Sequence, residues 1–102
     1  MKSSVSPNNL LPPLFPLGRV MATPAAIDVL DRTGIDVAIL LWRHQHGDFG
    51  SLCEADVRLN LEVITAGTRI LSCYVTGPSR ERVWIITEHD RSVTTICLAS
   101  EY

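Results

Sequence analysis

No apolar run in this sequence exceeds six residues, Val37 to Trp42, against the ~20 that a membrane-spanning helix needs. No spanning helix is expected. An excess of charge is missing too: nine Lys and Arg against eleven Asp and Glu leave −2, too little for the long-range attraction that marks non-specific nucleic-acid binders. Cysteine is scarce, with Cys53, Cys73 and Cys97 spaced by 20 and 24 residues and no CxxC. That spacing excludes zinc ribbons and thioredoxin-like motifs. Each cysteine sits in an apolar stretch, so reduced core thiols are expected. The chain contains no GxGxxG, Walker loop, GxSxG, HExxH or paired-carboxylate spacing, which removes the main nucleotide-binding and hydrolase classes and implies no cofactor. Lys2 is followed by no apolar stretch before the prolines; no secretory signal is read, and the expected location is the cytoplasm.

What is present is an ordinary globular composition, 46% hydrophobic and 20% charged over 102 residues. A chain of this size buries roughly 65% of its extended surface, enough for one core and not for two. Five of the six prolines fall in the first 24 residues, among Ser3, Ser4, Ser6, Asn8 and Asn9. Residues 1–14 therefore read as a flexible tail and 15–102 as a single domain. Leu17 to Ala22 is an extended candidate that would add an N-terminal edge strand. Thr23 before Pro24 is a helix N-cap followed by proline at the first helical position, with Gly34 as the stop. From Asp36, the spacing of Val37, Leu40 and Leu41 predicts a second helix ending before Gly47. Ser51 and Glu54 form a capping box, and Leu52, Leu59 and Val63 an apolar stripe, for a third helix over about 53–65.

The period then changes. Arg69–Val75, Arg82–Glu88 and Ser92–Leu98 are rich in β-branched and aromatic residues and separated by short turns. Connections this short join antiparallel neighbours. The expected architecture is α+β: three helices followed by a three-stranded antiparallel meander in two layers, the helices covering one face of the sheet. Trp42 and Trp84 fall in apolar contexts and are expected in the core.

Two polar groups carry potential chemistry. At the end of the second helix stand Arg43, His44, His46 and Asp48. His44 and Asp48 are spaced i,i+4, so the carboxylate would orient the imidazole if the helix continued past Gly47. Histidines there also complement the helix dipole without any chemistry. The second group, Thr87 to Thr95, packs Glu88, His89, Asp90, Arg91, Ser92, Thr94 and Thr95 around a tight turn. Thr94 and Thr95 point to opposite faces of a strand. Arg69 and Arg91, brought to one face, would suit a phosphate oxygen.

Three stretches carry a family resemblance: FPLGRVMATPAA (Phe15 to Ala26), HGDFGSLCEAD (His46 to Asp56) and VWIITEHDRSVTTICLASEY (Val83 to Tyr102). Together they resemble a family of short, mostly uncharacterised proteins of bacterial plasmids and integrative conjugative elements. Its members carry the label plasmid-related protein or, at times, type I restriction subunit. A restriction motor or methyltransferase would need several times this length and a cofactor motif. This chain departs from the family pattern at Phe49, where Trp is usual, and at Ala99-Ser100, where a proline is usual. The order of elements is also similar, at the level of fold, to the barnase, EndoU, colicin and RelE-like ribonucleases. That resemblance implies His44 or His46 for proton transfer, Arg69 and Arg91 for the oxyanion, and Thr94 or Thr95 for phosphate contact, with no metal.

Two expectations follow. The first is a mobile-element accessory protein acting as a small protein-binding module, which would meet a host or element-encoded partner through its sheet or through Leu10, Leu11, Leu14 and Phe15. The alternative is a metal-independent, toxin-type ribonuclease that cleaves RNA by 2′-hydroxyl attack.

Overall fold

Local signals start and stop the helices where the sequence places them. In a computed structural model that describes residues 12–51 and 67–102, Thr23 is extended and its hydroxyl accepts from the Ala26 N–H, opening α1 (Pro24–Thr33). The helix ends at Gly34, whose left-handed φ of 70° lets the Ile35 N–H return to the Leu30 carbonyl at 3.0 Å. Asp36 caps α2 (Val37–Gln45) by accepting from Ala38 N–H at 2.9 Å. Leu40 and His44, one turn apart, are its buried residues.

The sheet has four strands: β1 (Arg19–Ala22), β2 (Ile70–Thr76), β3 (Glu81–Thr87) and β4 (Val93–Leu98), followed by a 3₁₀ turn at Ala99–Glu101. Their order is β1-β4-β3-β2. The pairs β2–β3 and β3–β4 are antiparallel; β1–β4 is parallel, with Met21 opposite Thr95. The three-helix, three-strand antiparallel architecture expected from sequence is therefore corrected. Among the described residues there are two helices and a four-stranded mixed sheet, and β1 precedes the helices. β1 is separated from its neighbour β4 by α1, α2, β2 and β3, a connection long enough to bring the two strands together in the parallel sense, which a short turn cannot do. The expected third helix, Cys53 and most of the expected tail lie outside the described residues.

Strand alternation divides the sheet. Tyr74, Val83, Ile85 and Ile96 pack against Ala26, Val29, Leu30 and Leu40 in the main core. A second cluster joins Phe15, Phe49 and Ile70, with Leu17 beside it. The opposite face of the sheet carries Cys73, Trp84, Ile86, Thr95 and Cys97. Cys73 and Cys97 are free and buried. Among the described residues neither tryptophan belongs to a core cluster. Both are half-buried, Trp42 stacked on His46 with centroids 4.0 Å apart and Trp84 tilted against Tyr102 at 5.3 Å. Amphipathic rings satisfy an apolar pattern without full burial. No described helix is long and apolar enough to cross a membrane.

The strand β1 is delivered to β4 by Gly18. Its φ is +65°, and a Cβ there would run into the backbone carbonyls of Arg91 and Ser92. Arg19 N–H then bonds the Ser92 carbonyl at 2.9 Å. Replacing Gly18 by Ala combines an unfavourable φ with a backbone collision, an expected loss of about 2 kcal/mol or more. Urea denaturation checks the loss, and faster amide exchange at Arg19 and Thr23 checks that β1 is the element released.

Candidate functional site

The position of His44 in the stripe Val37, Leu40, Leu41, His44 turns its ring toward the sheet. There it has no exposure to solvent. Phe15 meets it edge-on at 5.1 Å and Phe49 at 6.2 Å. Its polar partners are two buried hydroxyls, Ser72 on β2 and Thr87 on β3, and the buried hydroxyl of Thr94 on β4 carries the chain one link further. His44 Nδ1 lies 2.5 Å from Ser72 Oγ, and Nε2 lies 2.9 Å from Thr87 Oγ1. Thr87 Oγ1 lies 2.7 Å from Thr94 Oγ1, and Thr94 donates to the Leu17 carbonyl at 2.7 Å.

The proton positions in this chain follow from its end. A carbonyl only accepts, so the Thr94 proton goes to Leu17 and Thr94 must accept from Thr87. The single Thr87 proton is then used, so Thr87 accepts from His44 Nε2–H. The neutral ring has Nδ1 bare, and Ser72 donates to it. Every link runs in one direction, and α2, β2, β3, β4 and the segment before β1 are tied together by it. Burial pushes the His44 pKa down from 6.5 to about 4, so the ring is neutral at physiological pH.

Of the six candidates read from sequence, the structure brings only His44 and Thr94 into one group. His46 is half-buried on Trp42 and donates from Nδ1 to the Trp42 carbonyl at 2.7 Å. Arg69 bonds the Tyr102 hydroxyl and lies over that ring at 5.5 Å, on the Trp84 side of the sheet. Arg91 donates to the carbonyls of Thr68 at 2.5 Å and Glu88 at 3.0 Å and faces the Phe15 ring at 5.8 Å, on the His44 side. Thr95 faces away from Thr94. The two arginines and the two histidines do not converge on one anion-sized space. Asp48 also goes elsewhere, held by Arg43 Nε at 2.7 Å and Nη2 at 3.2 Å. That pairing keeps the Asp48 carboxyl below the usual range. Ser72 and Thr87 complete the buried group. Their signal was the period-two pattern that puts them in line with Tyr74 and Ile85.

A Ser–His pair invites a nucleophilic reading, but Ser72 and His44 have no exposure and a nucleophile must reach its substrate. Among the described residues no group of three His, Cys, Asp or Glu side chains could hold a metal ion.

The surface offers a different site. All four residues of β1 are exposed, with Val20 at 44%, Met21 at 49% and the neighbouring Ile27 of α1 at 48%. Beside them lies a cavity of about 380 Å³, lined by Val20, Ala22, Ile27, Leu30, Val37 and Ile96 among others, with Asp31 and Asp36 also on its wall. Arg19 and Thr23 turn their N–H groups to β4; by alternation, those of Val20 and Ala22 point outward. The opposite edge of the sheet differs. On β2, Cys73 is bonded on both sides by the Phe49–Ser51 segment, at 3.1 and 2.7 Å. Among the described residues, one edge is covered in part and no segment pairs with the other.

Comparison of the chain with family models, curated proteins and solved structures returns no match.

The buried relay makes two predictions. In the unfolded chain His44 takes up its proton near 6.5, in the folded protein near 4, so between these values the unfolded state binds more protons. Stability falls as pH drops below about 6.5, the loss being complete below about 4 and on the order of 3 kcal/mol. Urea titrations across this window measure it, and ¹⁵N spectra of the ring should show Nε2 protonated above it. Thr87→Val leaves the His44 Nε2–H without an acceptor and is expected to cost about 2 kcal/mol, whereas Thr95→Val on the other face stays within about 0.5. Equal losses in the two variants would contradict the relay.

Proposed function

We propose that this chain is a small protein-binding module that takes an extended segment as a fifth strand along β1, the segment's apolar side chains resting at the mouth of the adjoining groove. The observation that carries this reading is the β1 edge, unpaired among the described residues, where outward backbone groups of Val20 and Ala22 stand beside exposed Val20, Met21 and Ile27. Backbone pairing supplies affinity in such complexes, and pockets for alternate side chains supply selectivity. The resemblance to accessory proteins of mobile elements is in keeping with a host or element-encoded partner. RNA cleavage finds less support. His44 is enclosed and satisfied on both nitrogens, and Arg69 and Arg91 are engaged on different sides of the sheet.

Selection from a displayed library of linear peptides tests the reading. Recovered sequences should alternate apolar and polar residues. Their affinity should fall at least about tenfold in Val20→Pro, which removes an outward N–H while sparing the bonds to β4, and in Ile27→Asp. Binders indifferent to both substitutions, or no binders, would overturn the proposal.

A further inference from the structure

The β1 edge is complementary to itself. We infer that the strand it receives is β1 of a second copy, paired antiparallel about a two-fold axis through Met21, with Arg19 of each chain reaching Glu101 of the other. The inference rests on the strand-addition reading above and names its partner.

The register follows from the backbone. In an antiparallel pair, residues directly opposite share a face of the sheet and alternate between hydrogen-bonded and non-bonded pairs. Only Val20 and Ala22 direct their N–H and C=O outward, since Arg19 and Thr23 bond β4. Placing Val20 opposite Ala22 of the second copy uses all of these groups on both strands. Centring the axis on Val20 instead would leave the outward groups of Ala22 to meet Gly18, at the bend where the strand begins. The favoured register puts Met21 against its symmetry mate as a non-bonded pair, with Cα atoms about 4.5 Å apart.

Side chains agree with this register on both faces. Met21, 49% exposed, gains its own copy as an apolar neighbour. On the helix side, Val20 of one chain comes beside Ala22 of the other, at the groove that Ile27 also lines. The same register sets Arg19 opposite Thr23. The Thr23 hydroxyl donates to Glu101 Oε1 at 2.7 Å, and Leu98 N–H bonds the same oxygen at 2.8 Å. These bonds hold the Glu101 carboxyl below its usual range, and its second oxygen has no hydrogen bond among the described residues. Arg19 makes no ion pair among them. Cation and anion are thus brought together twice, once at each end of the symmetric ribbon.

Equilibrium sedimentation over a concentration series, with the full chain, should show conversion from 11.3 kDa to twice that mass. Met21→Lys and Val20→Pro should remain monomeric, and Arg19→Glu should dimerise at least about threefold more weakly. Disulfide trapping then fixes the register. In a Cys53→Ser background, Met21→Cys should oxidise to a covalent dimer, because the Cα separation of its pair lies within disulfide range, while Ala22→Cys should not. Trapping of both variants at equal rates, or a wild-type dimer unaffected by Met21→Lys and Val20→Pro, would overturn the inference. A wild-type monomer at every concentration would overturn it too. If such a monomer still yields peptide binders sensitive to Val20→Pro, strand addition stands and only the identity of the partner falls.

Discussion

A histidine buried between a helix and a sheet needs both ring nitrogens bonded, and most of this structure can be read from how that requirement is met. His44 leans on Ser72 and Thr87, Thr87 leans on Thr94, and Thr94 leans on the backbone of Leu17. Each link has one donor and one acceptor, so the direction of any one fixes the rest. An apolar core would tolerate sliding of α2 over the sheet by small amounts. This relay does not, because a shift that breaks one bond strands a polar group where nothing can replace it. The same enclosure lowers the pKa of the imidazole to about 4, and its neighbours occupy both nitrogens.

The relay ends on the segment that leads into β1, and so connects the interior to the surface site. Leu17 is fixed from inside by Thr94, Gly18 turns close against the Arg91 and Ser92 carbonyls, and β1 then runs parallel to β4. A parallel strand at the end of an otherwise antiparallel sheet leaves an edge that, among the described residues, no hairpin covers. Phe49 to Ser51 cover part of the far edge, at Cys73. The difference between the two edges, among the described residues, is what the proposed strand addition uses. Exposed strand edges with apolar side chains tend to be protected when they have no partner; the protection here is limited to the shortness of β1 and to Arg19 at its start.

Features set by neighbouring residues were readable in the sequence. Thr23-Pro24 and Gly34 bound α1 and Asp36 opens α2; the burial of His44, one turn beyond Leu40, was not read from the stripe Val37, Leu40 and Leu41, because the ring was grouped with the polar residues at the helix end. The candidate site was read less well. Arg69, Arg91, Thr94 and Thr95 lie close along the chain or in register, but strand alternation sends Thr95 away from Thr94. Arg69 is drawn to Tyr102 and Arg91 to main-chain carbonyls. Asp48 was a plausible partner for His44 by spacing, yet Arg43 reaches it with two nitrogens over the Tyr74 ring. A guanidinium is the stronger partner for an exposed carboxylate than a neutral, buried imidazole.

By itself the sequence determined the limits of α1 and α2 and the three C-terminal strands. These depend on dihedral preference, capping and the two hydrophobic periods, all of which act over a few residues. Tertiary structure alone decided that β1 joins the sheet in the parallel sense, that one edge is unpaired among the described residues, and that Ser72, Thr87 and Leu17 complete the surroundings of His44. Those outcomes depend on hydrogen bonds between groups as far apart as Leu17 and Thr94; the period-two pattern puts Ser72 and Thr87 on the helix side of the sheet but does not name their partner. Whether a buried donor finds its acceptor is settled only when the chain has closed around both.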